Sequence, residues 1–334
     1  MKAIALISGG LDSILSAKLI KEQGVEIIPV IFKIPFCHLQ KAPSNGVKDI
    51  SSLIFECLGV KLKSFDISED FLKLLKDPRY GFGSNMNPCI DCKILMLKTA
   101  KELMKELGAE FLITGEVLAQ RPMSQHRQAL ELIPRKAGVH DLVLRPLSAK
   151  NFPPTIPELK GWVNREKLLK FSGRGRRPQL ELADTLGISG FSWPGGGCLL
   201  TDPHFSLRLK ELINHSELTV VNAALLKFGR HFRISEKTKL VVGRDEKENL
   251  ELEKLVESND YLFYPNESLA GPTSLARGLL NEELIKLSCQ ITCYHCDLAG
   301  NAQAEILYRK GAKGEIKSLV VERISKDKLE ALRI

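Results

Sequence analysis

Lys2-Ala3-Ile4-Ala5-Leu6-Ile7-Ser8-Gly9-Gly10-Leu11-Asp12-Ser13 is the stretch that decides the fold. Its first six residues form a strand of the buried type. The next six form a loop suited to hold a pyrophosphate. Gly9 and Gly10 let the backbone turn tightly and approach a ligand, because no Cβ stands in the way. Ser8 and Ser13 offer hydroxyl donors. Residues 13–23 then carry the spacing of an amphipathic helix. The start of such a helix presents unpaired N–H groups and a partial positive charge to whatever occupies the loop. No lysine lies in the loop, which excludes the GxxxxGK[ST] phosphate loop of kinases and GTPases.

Outward from that loop, residues 25–32 read as a second strand, 46–59 as a helix and 61–65 as a strand. Residues 94–107 read as a helix, 111–114 as a strand ending at Gly115, and 142–145 as a short strand stopped by Pro146. Strands and helices alternating at this spacing predict βαβ units and a parallel sheet. Ligands of such sheets lie beyond the carboxyl ends of the strands. The 8–13 loop and the Thr114-Gly115-Glu116 turn both fall at such ends, so one site can face both. Residues 149–161 are proline-rich and read as a connector, and 179–187 as a helix. Pro194-Gly195-Gly196-Gly197-Cys198 reads as a turn that exposes backbone. From about residue 206 the texture changes to helices mixed with short strand-like runs at 239–243 and 316–321. The expected architecture is α/β: a parallel-sheet domain over 1–205 and a smaller α+β domain over 206–334.

A chain of 334 residues suggests two domains, and its 44% hydrophobic and 26% charged residues are those of an ordinary globular protein. No apolar run reaches the roughly 18–20 residues that span a bilayer, and the first strand lacks a basic leader, so a cytoplasmic protein with no membrane partner is expected. The formal net charge of +8 favours a polyanionic partner. Arg174, Arg176 and Arg177 cluster in one segment, and Lys227, Arg230, His231 and Arg233 in another. Each cluster reads either as RNA or phosphate contact or as solvated surface charge.

Eight cysteines in a cytosolic chain point to metal, sulfur chemistry or packing rather than to a disulfide framework. In Asn87-Pro88-Cys89-Ile90-Asp91-Cys92-Lys93, Cys89 and Cys92 stand before a helix, where the dipole favours thiolate. Their CxxC spacing suits a zinc site, a redox pair or iron–sulfur ligation. Cys198, after three glycines, supplies a third accessible thiol. Three thiolates can hold three irons of a [4Fe–4S] cluster and leave the fourth open; a persulfide relay among the same cysteines is the competing chemistry. Cys289, Cys293 and Cys296 fall on one face of a helix over 282–296 and read as packing residues, with His295 at the boundary.

Ser8-Gly9-Gly10-Leu11-Asp12-Ser13 resembles the PP-loop of the ATP pyrophosphatase superfamily (adenine nucleotide alpha hydrolase-like). Thr114-Gly115-Glu116, Gln120, Ser124-Gln125 and Leu144-Arg145-Pro146-Leu147 are similar to the TGE…Q…SQ…RPL pattern of the 4-thiouridine synthetases, which are tRNA sulfurtransferases. Asn87–Cys92 and the glycine-rich turn at Cys198 resemble the 2-thiouridylase branch. This resemblance covers roughly residues 1–205. It implies an enzyme that uses ATP and Mg²⁺ to adenylate a tRNA uridine carbonyl and replaces the oxygen with sulfur, releasing AMP and pyrophosphate. Ser8, Gly9, Gly10, Leu11, Asp12 and Ser13 would hold the pyrophosphate and Mg²⁺, with Asp12 catalytic. Phe32, Thr114, Gly115 and Gln125 would line the ATP pocket. Cys89, Cys92 and Cys198 would handle sulfur, as catalytic thiols or as ligands of a [4Fe–4S] cluster. The sulfur donor would be a cysteine desulfurase or free sulfide, and a homodimer is an open expectation.

The 4-thiouridine synthetases carry a tRNA-binding THUMP region before their PP-loop; here the loop begins at residue 8, so another part is expected to grip RNA. Residues 240–249 and 259–264 resemble the RNA-binding NFACT-R domain. Arg244, with Arg174, Arg176 and Arg177, is then a candidate RNA contact, and Phe263 and Tyr264 either stack on bases or pack in a small core. Two rival functions stay open on sequence. One is a PP-loop enzyme adenylating or thiolating a small molecule; the other is an RNA-binding protein with a relict ATP loop.

Overall fold

Ala3, Ile4 and Ala5 lie buried in β1 (Lys2–Leu6), the middle strand of a five-stranded sheet. The computed structural model describes residues 1–36, 48–191, 198–298 and 303–334. The chain divides into two units, Met1–Asp202 and Pro203–Ile334.

In the first unit, β1 leads into α1 (Leu11–Lys21), β2 (Glu26–Lys33), α2 (Ile50–Leu58), β3 (Lys63–Asp66) and α3 (Ser68–Lys76). Then follow α4 (Cys89–Leu107), β4 (Phe111–Ile113), α5 (Arg127–Ala137), β5 (Val143–Leu144), α6 (Ile156–Leu159) and α7 (Arg177–Thr185). The strand order is β3-β2-β1-β4-β5, and every pairing is parallel. β2 reads Glu-Ile-Ile-Pro-Val-Ile-Phe-Lys, a nearly unbroken apolar run, as a strand covered on both faces requires. Ala3 and Ala5 join Ile14 and Leu15 of α1, Leu53 and Ile54 of α2 and Ala183 of α7 in one core. α4, flanked by α3 and α5, packs on β1 from the other face. Each fully buried Ile or Leu in these layers contributes about 1.5–3 kcal/mol.

The expected parallel sheet is present, with two departures. α4 begins at Cys89 rather than at residue 94, so both cysteines stand inside its first turn. Pro88 occupies the position before that turn, and the carboxylate of Asp91 accepts from the Tyr80 amide at 2.9 Å, fixing the helix start. α3 and α5 were not anticipated; α5 carries Pro134 in its last turn, a residue that ordinarily argues against a helix. The 149–161 connector holds a short 3-10 turn and the single turn of α6, closed by a Thr155–Glu158 capping box.

The second unit runs α8 (Pro203–Asn214), α9 (Val220–Leu225), β6 (Arg230–Ser235), β7 (Thr238–Val242), α10 (Glu246–Lys254) and β8 (Tyr261–Pro265). It continues with β9 (Ser274–Gly278), α11 (Glu282–Tyr294), β10 (Ala304–Lys310), β11 (Lys317–Val321) and α12 (Lys326–Leu332). Its six strands form an antiparallel sheet in the order β11-β10-β8-β9-β7-β6. α11 covers one face through Phe232, Phe263 and Ile306, while Leu225 of α9 and Leu252 of α10 meet Val241, Leu262 and Leu275 on the other. This is the expected α+β arrangement. Among the described residues, no helix is long and apolar enough to cross a membrane.

Candidate active site

The order β3-β2-β1-β4-β5 reverses direction between β1 and β4, and crevices for ligands open at such reversals. The Ser8–Ser13 loop leaves the carboxyl end of β1, and Thr114-Gly115-Glu116 leaves that of β4. The two touch. A Cβ built on Gly115 would stand 2.5 Å from the Ser13 amide nitrogen and 2.6 Å from the Asp12 carbonyl carbon. Only glycine permits that approach. Gly9 takes φ +80°, open to glycine at no cost, which turns the chain into α1. Gly10 stands before α1 and offers no side-chain cap, so the first amides of the helix face the loop.

The hydroxyls bond within the loop. Ser13 Oγ donates to the Gly10 carbonyl at 2.7 Å and accepts from the Ser8 amide at 3.2 Å. Ser8 Oγ accepts from the Gly10 amide at 3.4 Å. The Leu11 side chain is buried in the core, so only its backbone faces the loop. Asp12 Oδ2 accepts from Gln120 Nε2 at 2.7 Å. Asp12 Oδ1 is buried with no partner, an orphaned carboxylate oxygen of the kind a divalent cation satisfies. Gln120 belongs to the TGE…Q pattern but was not singled out as a site residue; its spacing from Thr114 was the available signal. Gln125 is buried, and its backbone carbonyl accepts from the Ala119 amide at 2.7 Å. Its side-chain oxygen has no partner. Phe32 is buried near the carboxyl end of β2 and tilts against Phe65, ring centres 6.5 Å apart.

Glu116 is 7% exposed and ties this turn to the cysteine-bearing helix. It pairs with Lys93, the residue after Cys92, and with Arg145 Nε at 3.1 Å, and accepts from Thr114 Oγ1 at 3.2 Å. Burial alone would raise its carboxyl; the charges of Lys93 and Arg145 overcome this and hold it down at about 2.

The thiols of Cys89, Cys92 and Cys198 are all half-buried. Cys198 stands on a segment joined to the one preceding Cys89. The Met86 amide donates to the Leu200 carbonyl at 3.1 Å, and Asn85 Nδ2 to the Thr201 carbonyl at 2.8 Å. Cys89 Sγ lies 3.2 Å from Asn87 Oδ1, and Cys198 Sγ lies 3.8 Å from the Phe36 carbonyl. Among the described residues, no three Cys, His, Asp or Glu side chains are already gathered as a metal-binding set. The Pro194–Gly197 part of the glycine-rich turn lies outside the described residues.

The arginine segment separates into different surroundings. Arg174 is exposed. Arg177 is exposed and pairs with Glu181 at 2.7 Å. Arg176 is half-buried with Nη2 3.8 Å from Asp12 Oδ2.

In the second unit the other basic cluster is largely spent on structure. His231 is buried, its Nε2 2.7 Å from the Phe228 carbonyl. Arg233 forks onto Glu217 at 3.0 and 2.9 Å and also meets Glu211. Arg230, whose Nη1 donates to the Gly243 carbonyl at 3.0 Å, shares its surroundings with Arg244 and Arg333; after burial, those two charges press its guanidinium pKa down. Arg244 is half-exposed and paired with Glu248. Phe263 is fully buried between Tyr261 and Tyr308, so it is a core residue and not a base-stacking one. Tyr264 is half-buried beneath Arg309. Cys289, Cys293 and Cys296 lie in the core on and just past α11, where burial raises all three thiols, Cys289 and Cys296 to about 12.

The first unit is thus an α/β sheet with a glycine loop and an orphaned carboxylate at its switch point, and the second a sheet-and-helix unit with clustered arginines. Residues 1–151 match the family model described as thiamine biosynthesis protein (ThiI), and residues 229–333 match the one described as NFACT protein RNA binding domain. A probable tRNA sulfurtransferase of Methanosarcina mazei is 28% identical over 187 residues, 48% of this chain and 44% of that protein. A second, of Thermococcus kodakarensis, is 34% identical over 122 residues, 36% of this chain and 30% of that one. A tRNA-specific 2-thiouridylase MnmA of Pelobacter propionicus is 31% identical over 121 residues, 34% of this chain and 33% of that one. The chain spans less than half the length of these relatives.

Proposed function

We propose that the protein is an ATP-dependent tRNA sulfurtransferase that converts a uridine carbonyl to a thiocarbonyl. The observation that carries this reading is the contact of Gly115 with the Asp12–Ser13 backbone, beside a buried Asp12 oxygen that has no partner. It brings a pyrophosphate-type loop and the turn after β4 side by side, which supports their serving one site. The family models matched at 1–151 and 229–333 support a PP-loop unit acting on RNA.

In this reading ATP lies with its phosphates over the start of α1, where the first amides stabilise the charge developing on the leaving pyrophosphate. Asp12 would hold Mg²⁺, which supplies charge neutralisation at the phosphates. Thr114, Gly115 and Gln125 line the nucleotide side. The uracil oxygen attacks the α-phosphate, pyrophosphate leaves, and a sulfur nucleophile then displaces AMP from the activated carbon. Cys89, Cys92 and Cys198 present that sulfur: as sulfide it has no sulfur–sulfur bond to break, and as the outer sulfur of a cysteine persulfide it is released when a second of these thiols closes a disulfide, which an external thiol then reduces. Two hydrogen bonds joining 85–86 to 200–201 support a shared role for their segments. A [4Fe–4S] cluster held by the same three thiolates would supply an iron open to sulfide. The donor is a cysteine desulfurase or free sulfide, and the setting is cytoplasmic. Arg174, Arg230 and Arg244 are the arginines we assign to RNA phosphates.

ATP–pyrophosphate exchange tests the first half-reaction. Exchange that requires both Mg²⁺ and tRNA, and is lost in Asp12→Asn, is expected. Exchange that proceeds equally without tRNA would shift the reading to a small-molecule substrate.

A further inference from the structure

Arg176 belongs by sequence to a cluster that reads as RNA contact, but the fold carries it to the loop. Ser172 pairs with Leu118 in an isolated parallel bridge, and the Gly173 amide donates to the Leu118 carbonyl at 2.7 Å. The segment is thereby stitched to the chain between Thr114 and Gln120. It then enters α7, which packs on α1. Arg176 stands immediately before α7, and its guanidinium reaches Asp12, while Arg174 and Arg177 face solvent.

The contact differs from the buried ion pair that Glu116 makes with Arg145. At 3.8 Å it is longer than a charge-assisted hydrogen bond. Asp12 Oδ2 is already bonded by Gln120. The Glu116–Arg145 pair, by contrast, is buried and hydrogen-bonded at 3.1 Å. A loose pair between partly exposed groups is weakly held and readily exchanged. Beside it, Asp12 Oδ1 is buried and unsatisfied, which points to a cation as the missing partner.

Resting on the reading of this loop as an ATP site, we infer that Arg176 is a phosphate-binding residue of the nucleotide site, parked on Asp12 until a nucleotide arrives. A cation and a guanidinium compete for the same carboxylate. When Mg²⁺–ATP enters, the cation satisfies Asp12 and the guanidinium is released beside the phosphates. Its planar fork matches phosphate oxygens in pairs, as lysine does not. Arg176 then grips the β- and γ-phosphates and holds pyrophosphate after it separates.

The test measures Mg²⁺-dependent binding of ATP and of inorganic pyrophosphate to the full chain by calorimetry. Arg176→Gln should weaken both by about tenfold or more, the loss of one charge-assisted contact. Arg176→Lys should recover only part of it. Lys170→Gln, an exposed change of equal charge on the same segment, should leave both affinities unaltered. Wild-type affinities in Arg176→Gln would overturn the inference and leave the ATP site standing. No ATP binding by the wild-type chain would overturn both. If Arg176→Gln does not fold, Arg176→Lys decides: weakened pyrophosphate binding with an unchanged melting temperature supports the assignment, and unchanged binding overturns it.

Discussion

At the scale of single residues, Gly115 carries the most consequence. A methyl group there meets the backbone of Asp12 and Ser13, not a side chain that can swing away. Overpacking of this kind costs about 1–3 kcal/mol and moves the backbone. Gly115→Ala should therefore lower ATP affinity by about tenfold or more, while the circular dichroism spectrum stays native. Calorimetric titration checks this; unaltered ATP affinity would show that the loop and the turn do not build one pocket. The loop itself was legible in sequence because six consecutive residues carry it. Gln120 and Arg176 were harder to read. Their meaning depends on a partner more than fifty residues away in the chain, and nothing in their own neighbourhood shows that both converge on Asp12.

At the scale of elements, the start of α4 is fastened to the turn after β4 through Lys93 and Glu116. Folding holds the Glu116 carboxyl at about 2, below its ordinary 4.5, so the native state favours the ionised form. The resulting stabilisation is complete above pH 4.5 and is lost as pH falls from there toward 2. Glu116→Gln should destabilise the first unit by on the order of 3 kcal/mol at pH 7, and the gap to wild type should narrow at pH 3.5. Both tryptophans, Trp162 and Trp193, belong to residues 1–202, so their fluorescence in urea reports on that unit. An equal gap at the two pH values would contradict the pairing.

α11 makes the opposite case from α4. Its cysteines are buried and their thiols raised by that burial, so iodoacetamide at pH 8 should modify Cys89, Cys92 and Cys198 while sparing Cys289, Cys293 and Cys296 in the native protein. Peptide mass mapping reads the outcome; rapid labelling of the α11 thiols would remove them from the core. The helical spacing of those three cysteines made their packing role readable. The true start of α4 was less so, because Cys89–Asp91 lacks the long apolar period of the residues behind it, and Pro88 was the available marker. α5 was hidden by Pro134.

At the scale of the molecule, a sheet with an orphaned aspartate at its switch point is joined in one chain to a sheet unit matching an RNA-binding family. The alternation of strands and helices in the first unit could be read from sequence, since each strand is a short buried run. The antiparallel order of the second could not, because its pairings are set by distant partners such as β7 with β9 and β8 with β10. The basic residues at 227–233 looked like one patch, yet His231 and Arg233 serve the interior, and Arg230 instead neighbours Arg244 and Arg333. The most direct test of the account is nucleoside mass spectrometry of tRNA incubated anaerobically with the protein, Mg²⁺–ATP and sulfide. Thiouridine that forms with the wild type and is absent with Asp12→Asn and with Cys198→Ser is the result predicted. No thiouridine with a wild-type protein that turns over ATP, or undiminished thiouridine with either variant, would contradict it.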